Sequence, residues 1–143
     1  MSVQIKCGPS GGNGGEDFED IFPPAGTKIS EITVWYEDVV EAIQIAWADG
    51  SSDKHGRGSH HPTPIPLAED EYLVGISGRY GRGVDSISFV TTERTHGPYG
   101  GDGGDVEYFY NVDPRFPKAH IIAFFGRADE NLDAIGCVFS VEE

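Results

Sequence analysis

The feature that most restricts what this chain can fold into is an internal repeat, because a fixed period implies one structural unit used several times. Three segments carry an acidic residue followed by a small residue, an isoleucine and a strand-like run. They are Tyr36-Glu37-Asp38-Val39-Val40-Glu41-Ala42-Ile43, Gly81-Arg82-Gly83-Val84-Asp85-Ser86-Ile87 and Asp129-Glu130-Asn131-Leu132-Asp133-Ala134-Ile135. The acidic anchors Glu41, Asp85 and Asp133 stand 44 and 48 residues apart, close to a third of the 143-residue chain. A second repeat interleaves with the first. Gly8-Pro9-Ser10-Gly11-Gly12-Asn13-Gly14-Gly15 matches Gly97-Pro98-Tyr99-Gly100-Gly101-Asp102-Gly103-Gly104 at six of eight positions, and His55-Gly56-Arg57-Gly58 reads as a degenerate middle copy. Two repeats in step predict three copies of one β unit, each with a glycine-rich turn and an acidic turn, set about a pseudo-threefold axis around a shared core.

The residues between the turns support strands. Ile29 to Tyr36, Val84 to Val90, Val106 to Tyr110, Ile121 to Phe125 and Ile135 to Val141 are short, β-branched or aromatic, and often alternate. That period of two, bounded by Gly, Pro, Asn and Asp, is the strand signal. One stretch is ambiguous: Val40, Ile43 and Trp47 fit a helix over Glu37 to Trp47, yet Ile43, Ile45 and Trp47 alternate and the repeat favours a strand. Pro62, Pro64 and Pro66 predict an irregular edge segment, since proline cannot donate to a ladder. The 20 glycines and 9 prolines lie between apolar runs, so with 38 % hydrophobic residues the composition reads as a turn-rich folded protein. Nothing resembles a linker, and residues 1–143 are expected to form a single domain.

Charge narrows the partners. The formal net charge is −14, from 24 acidic against 10 basic residues. Such a chain repels polyanions, so nucleic acid and acidic lipid surfaces are poor candidates. No apolar run approaches the ~18–20 residues of a membrane span, and Met1-Ser2-Val3-Gln4-Ile5-Lys6 has no hydrophobic signal segment. Cytoplasmic and mature secreted locations stay equally open. Cys7 and Cys137 form no zinc or redox motif; an intrachain bridge, an interchain bridge and free thiols are all compatible with one such pair.

A strand-entry turn ending in a carboxylate suits a polyol. Ionised aspartate is acceptor-only and takes two hydroxyl donors at once. Backbone N–H groups of a facing glycine-rich loop approach closely because no side chains intervene. Donors and acceptors around a hexose then need no metal, cofactor or catalytic pair.

At this point the sequence resembles the jacalin-related lectins over nearly its whole length. The matching elements are Gly11-Gly12-Asn13-Gly14-Gly15 with Phe18 and Asp20, Ile29 to Ile32, Glu71 to Gly78, Ser86 to Thr92 and Gly97-Pro98-Tyr99-Gly100. The most specific is the stretch from Phe124-Phe125-Gly126-Arg127 into Leu132-Asp133-Ala134-Ile135-Gly136. The resemblance implies an all-β fold, the β-prism of three four-stranded antiparallel sheets, with no metal and no enzymatic activity. It implies a main sugar site between the first glycine loop and the last acidic turn. There Gly15 and one of Glu130, Asn131 or Leu132 offer backbone N–H groups, and Asp133 accepts from two hydroxyls. The family motif is glycine, three residues, then aspartate, whereas this chain has Asp129 in place of that glycine. Gly81, Arg82, Gly83, Val84 and Asp85 keep the motif and form a second candidate with Gly101 and Gly104. Asp38, Val39 and Glu41, with Gly56 and Gly58, form a third, in which glutamate replaces aspartate. Tyr80 and Tyr99 are candidates to stack on a sugar or to pack locally. Because the first loop continues upstream from Gly8 to Gln4, the resemblance favours mannose- or glucose-type glycans over galactose. Weak single sites call for several sites per chain, a homo-oligomer such as a dimer, or both.

Other chemistries fit less well. His55, His60 and His61 cluster in a proline-broken segment that fixes no ligand geometry, and surface histidines are the expectation for them and for His96 and His120. Asp129, Glu130 and Asp133 lack the spacing of a calcium loop. No helix follows the glycine-rich runs, which removes a nucleotide fingerprint. A glycoside hydrolase would need two carboxylates about 5–10 Å apart, a spacing that Asp129 and Asp133 can satisfy. A prism serving only protein interaction is the remaining alternative.

Overall fold

A computed structural model describes residues 2–21, 27–60 and 62–142. Among these the chain forms twelve strands: β1 (Ser2–Gly11), β2 (Glu16–Glu19), β3 (Ile29–Tyr36), β4 (Val40–Trp47), β5 (Ser52–Gly56), β6 (Pro62–Pro66), β7 (Leu73–Tyr80), β8 (Val84–Thr91), β9 (Thr95–Gly100), β10 (Val106–Asn111), β11 (His120–Ala128) and β12 (Leu132–Glu142). The ambiguous stretch is strand β4, as the repeat required.

The strands make three four-stranded antiparallel sheets, ordered β5-β4-β3-β6, β10-β7-β8-β9 and β1-β12-β11-β2. One plan serves all three. A central hairpin (β3–β4, β7–β8 or β11–β12) takes the next strand on its returning side and the one after on its outgoing side. In the third sheet those outer strands are β1 and β2, so strands from opposite ends of the sequence complete it. Cys7 stands opposite Cys137 in the β1–β12 ladder, and both are free thiols. Burial pushes the Cys137 thiol up from its ordinary value.

The alternating apolar positions meet inside the prism. Ile32, Val34, Ile43, Ile45, Ile76, Ile87, Phe89, Ile121, Phe124, Leu132 and Ile135 are each at most 1 % exposed. Burying such a side chain contributes about 1.5–3 kcal/mol, so each hairpin is anchored from inside. Trp47 donates its indole N–H to the Ile122 carbonyl at 2.8 Å, tying two sheets. Prolines 62, 64 and 66 alternate along edge strand β6, which pairs with β3 from Glu31↔Pro66 to Trp35↔Pro62. Alternation leaves Thr63 and Ile65 as the N–H carriers for β3 and removes donors from the open side.

One histidine departs from expectation. His55 is 8 % exposed and is not a surface residue. Its ring stacks on Phe18 at 3.8 Å and its Nε2 pairs with buried Asp20, which also accepts the Phe124 N–H at 2.8 Å. Burial pushes the Asp20 carboxyl up, against the opposing hydrogen bonds from His55 and Phe124. The pair joins the sheet of β2 to that of β5. His61 lies outside the described residues.

Candidate functional site

The three central hairpins end in the same turn. Glu37 N–H donates to Val39 O, Gly81 N–H to Gly83 O and Asp129 N–H to Asn131 O, each at 3.0 Å. Val40, Val84 and Leu132 then plug into the core at 0 % exposure and begin the returning strand. The next residue is the acidic anchor, and in every hairpin it is the extra residue of a β-bulge. The register passes from Tyr36↔Val40 to Trp35↔Ala42, from Tyr80↔Val84 to Arg79↔Ser86, and from Ala128↔Leu132 to Arg127↔Ala134. A bulge re-aims the side chain it carries. Here it turns Glu41, Asp85 and Asp133 toward the loop that joins the two outer strands of the same sheet.

Glycine lets each loop come that close. A Cβ on Gly11, Gly56 or Gly100 would stand 2.2 Å from the backbone oxygen of Asp133, Glu41 or Asp85, and all three have positive φ. Gly12 N–H donates to Asp133 O at 2.9 Å and Gly101 N–H to Asp85 O at 3.0 Å. Further along, a Cβ on Gly14 or Gly15 would lie 2.9 or 2.6 Å from the Asp133 carboxylate oxygens; for Gly103 and Gly104 against Asp85 the distances are 2.8 and 2.7 Å. The first two sets of candidates are therefore brought together as expected: Gly15 with the 129–133 turn, and Gly101 and Gly104 with the 81–85 turn.

Those two carboxylates share an electrostatic state. Among the described residues neither the Asp85 nor the Asp133 carboxylate receives a hydrogen bond from protein. Burial raises the Asp133 carboxyl above the ordinary range, Asp129 raises it further and Arg127 opposes. Burial likewise raises Asp85, with Arg79 opposing and Asp105 adding to the rise. Each is a half-buried acceptor with vacant lone pairs. A cleft of about 390 Å³ runs between them, bounded by the 81–85 turn, Gly104, Asp105 and residues 131–133.

The third set is assembled differently. Glu41 is already filled: Ser59 N–H and His60 N–H donate to Oε1, both at 2.9 Å, and His60 Nδ1 lies 2.6 Å from Oε2. Burial raises the Glu41 carboxyl, but those hydrogen bonds outweigh it and hold the group below its ordinary value. His60 is raised by its bond to Glu41 and by nearby Glu37. Gly58 faces the Trp35 ring, where an added Cβ would be 2.6 Å from Cγ. Gly56 and Glu41 do meet, yet no open acceptor results, and Asp38 offers its backbone oxygen to the close approach of Gly101. Tyr80 and Tyr99 pack against the core, Tyr99 with Tyr36 at 5.4 Å.

Loops and turns also link the sheets in a ring. The position of a Cβ on Gly12 falls 1.9 Å from Arg82 O, that on Gly101 falls 2.1 Å from Asp38 O, and Arg57 pairs with Glu130 at 3.5 Å. Sequence reasoning missed three contributors: His60 as a lid on Glu41, and Arg79 and Arg127, whose guanidinium groups bond to loop carbonyls. The arginines carried a signal, since each precedes its acidic anchor by the same interval. Asp20, Asp53 and His55 have potential metal-ligand atoms within 4.8 Å of one another. Two of them, Asp20 and His55, already satisfy each other.

Comparison with known proteins adds kinship to this geometry. The family model described as "Jacalin-like lectin domain" matches residues 7–138. The jacalin-related lectin Calsepa of Calystegia sepium is 35 % identical over 95 % of this chain and 95 % of its own. An agglutinin of Castanea crenata is 34 % identical over 95 % of this chain but 47 % of its own, so the chain spans about half of that relative. Among solved structures, the Malaysian banana lectin superposes with a TM-score of 0.86 at 25 % identity, covering 98 % of this chain and 100 % of that one. Artocarpin in complex with mannotriose superposes with a TM-score of 0.83 at 28 % identity, covering 95 % and 97 %.

Proposed function

This chain belongs to the jacalin-like lectin family, and from that premise we propose that it binds mannose- or glucose-type hexoses at the Asp133 and Asp85 turns. The observation that carries the proposal is the pair of half-buried carboxylates that face glycine backbone and receive no donor from the described residues. A hexose supplies what they lack: vicinal hydroxyls that donate to both oxygens of one carboxylate. Its ring and hydroxyl oxygens then accept from backbone N–H groups of Gly15 and residues 130–132, or of Gly104 in the loop that faces Asp85. Hydrogen bonds to a charged group contribute about 1.5–3 kcal/mol each. After the cost of ordering the ligand, a single turn binds at roughly millimolar to micromolar strength, about −4 to −8 kcal/mol.

Mannose- or glucose-type ligands are favoured by the uninterrupted first loop and by artocarpin, which was solved with mannotriose. Residues 1–143 act in this reading as one lectin domain with two working turns, and a homo-oligomer such as a dimer multiplies them. The proposed activity is binding without catalysis: an oligosaccharide is returned unchanged, whereas a hydrolase built on Asp129 and Asp133 would release reducing ends.

A glycan array displaying wild type beside Asp133→Ala and Asp85→Ala tests this. Binding to mannose- or glucose-containing glycans, weakened by each change, is the expected result. Wild type that binds nothing at multivalent density would leave a prism for protein interaction in its place.

A further inference from the structure

We propose that Arg127 is a positioning residue of the Asp133 turn, setting the direction of the Gly15 N–H by gripping the carbonyl of the peptide that carries it. This inference rests on the sugar-site reading above. Arg127 is the last residue of β11 before the bulge, paired with Ala134. Its Nε donates to Gly14 O at 2.9 Å and one terminal nitrogen to Gly15 O at 2.7 Å. Its other terminal nitrogen meets Asp17 Oδ1 at 2.5 Å. Every edge of the guanidinium fork is therefore engaged on the glycine loop or just beyond it.

Peptide geometry converts that grip into an aim. The peptide unit is planar and trans, so its C=O and N–H point in opposite directions. Holding Gly14 O toward Arg127 turns the N–H of the same unit, that of Gly15, away from the guanidinium. Gly15 has φ +69° and Gly14 has no side chain, so nothing intrinsic to either residue would fix that plane. Arginine suits the task because its donors form a rigid fork, whereas lysine presents one mobile point charge.

The other two sheets act as internal controls. Arg79 occupies the matching place on β7, opposite Ser86. Both its Nε and a terminal nitrogen go to Gly104 O, at 3.2 and 2.8 Å. The next N–H in that peptide belongs to Asp105 and is spent on Tyr80 O at 3.1 Å. Arg79 thus fixes the end of its loop but not the Gly104 N–H. In the sheet whose acid is closed, the matching residue is Trp35, opposite Ala42, and its ring packs on Gly58. The full grip occurs only at the Asp133 turn.

Arg127 also opposes the rise of the Asp133 carboxyl, so charge alone is a competing role. Arg127→Lys separates the two, since it keeps the charge and loses the fork. The experiment uses an Asp85→Ala background, so that only the Asp133 turn reports, with calorimetry against methyl mannoside and amide NMR of the sugar-free protein. The expected result for Arg127→Lys is an affinity about tenfold lower, with displaced and faster-exchanging Gly14 and Gly15 amides and unmoved Gly103 and Gly104 amides. Full affinity and unchanged Gly15 exchange in Arg127→Lys would overturn the proposal. If Arg127→Met fails to fold, the lysine variant still decides. If the background protein binds no sugar, the site reading fails, while the Gly15 amide in Arg127→Lys still tells whether the fork holds that peptide.

Discussion

The Asp133 and Glu41 turns have the same backbone and differ in where the hydrogen-bond donors come from. Both carry the acid on a bulge, both face the loop between outer strands, and both let a glycine ride on the acid's own carbonyl. At Asp133 the loop presents Gly14 and Gly15 and leaves the carboxylate open. At Glu41 the loop presents Ser59 and His60, and the extra methylene of glutamate carries its oxygens to their N–H groups. His60 then adds its ring nitrogen. An acceptor that already takes three protein donors keeps about one of its four lone-pair sites, too few for a pair of hexose hydroxyls, and displacing the donors would cost about 1–3 kcal/mol each. A glutamate on the same kind of bulge, met by a loop that brings Ser59 and His60 to it, thus makes a structural latch where the Asp133 turn stays open.

The sharpest way to break this comparison is to remove the acids. Asp85→Ala combined with Asp133→Ala is expected to lower hexose affinity more than ~100-fold, equivalent to losing about two charged hydrogen bonds. Glu41→Ala is expected to leave it unchanged, and calorimetry with methyl mannoside reads both. Stability should show the reverse order. Glu41→Ala strands the loop donors and is expected to cost about 2 kcal/mol, a fall of several degrees in a thermal melt. Retained melting temperature in Glu41→Ala would mean that the latch is ornamental.

A constructive change asks less of the protein. His60→Gly with Glu41→Asp copies the open turns, and calorimetric stoichiometry should rise by about one weak site per chain. No rise would show that Trp35, standing where the arginines stand, also keeps this turn closed.

Acidity separates the turns by sign. The Asp85 and Asp133 carboxyls lie above the ordinary 3.8. The proposed sugar binding, which needs the ionised form, should therefore be full at neutral pH and fade at a higher pH than an ordinary aspartate would dictate. The same raised values make both groups oppose folding as pH rises through 3.8, as expected of acceptors kept vacant for a ligand. Glu41 lies below 4.5, so its contribution to stability is present above that value and lost as pH falls through the lowered one. His60 lies above 6.5, and its contribution is present below 6.5 and lost as pH rises through the raised value. Protection of the Ser59 and His60 amides, relative to their intrinsic exchange rates, should be greatest between those limits, while binding titrated by calorimetry begins to fall on the acid side. The smallest expected effect is that of Asp129→Gly. It removes a negative neighbour of Asp133, shifts the acid limb of binding to lower pH, and changes neutral-pH affinity only a few-fold.

Much of this is legible in the amino-acid sequence alone. The spacing of Glu41, Asp85 and Asp133 announced three units, and the two Gly-Pro-x-Gly-Gly runs located the loops that face them, because a turn needing positive φ and close approach can hardly be built from anything else. What stayed hidden was pairing across the chain. Asp20 and His55 are 35 residues apart, and nothing in the repeats relates the two positions to each other. His60 occupies a glycine position in a loop so altered that its equivalence to Gly15 emerges only from the strand register. The arginines lie within the repeat, yet a long side chain beside a turn looks like any solvated cation until its partners are known.

The third sheet closes with strands from opposite ends of the sequence, and that gives the two open turns different histories. Arg79 reaches a loop 25 residues away, but Arg127 reaches back 113 residues to Gly14. On the ribosome, the Asp85 turn and its loop emerge almost together and can assemble on a nascent chain. The Asp133 turn must wait until β11 and β12 arrive to receive β1 and β2, made long before. A hexose bound there as proposed would touch strands made more than a hundred residues apart and act as a clasp between them. Truncation or fusion beside β1 should accordingly blunt one turn and spare the other.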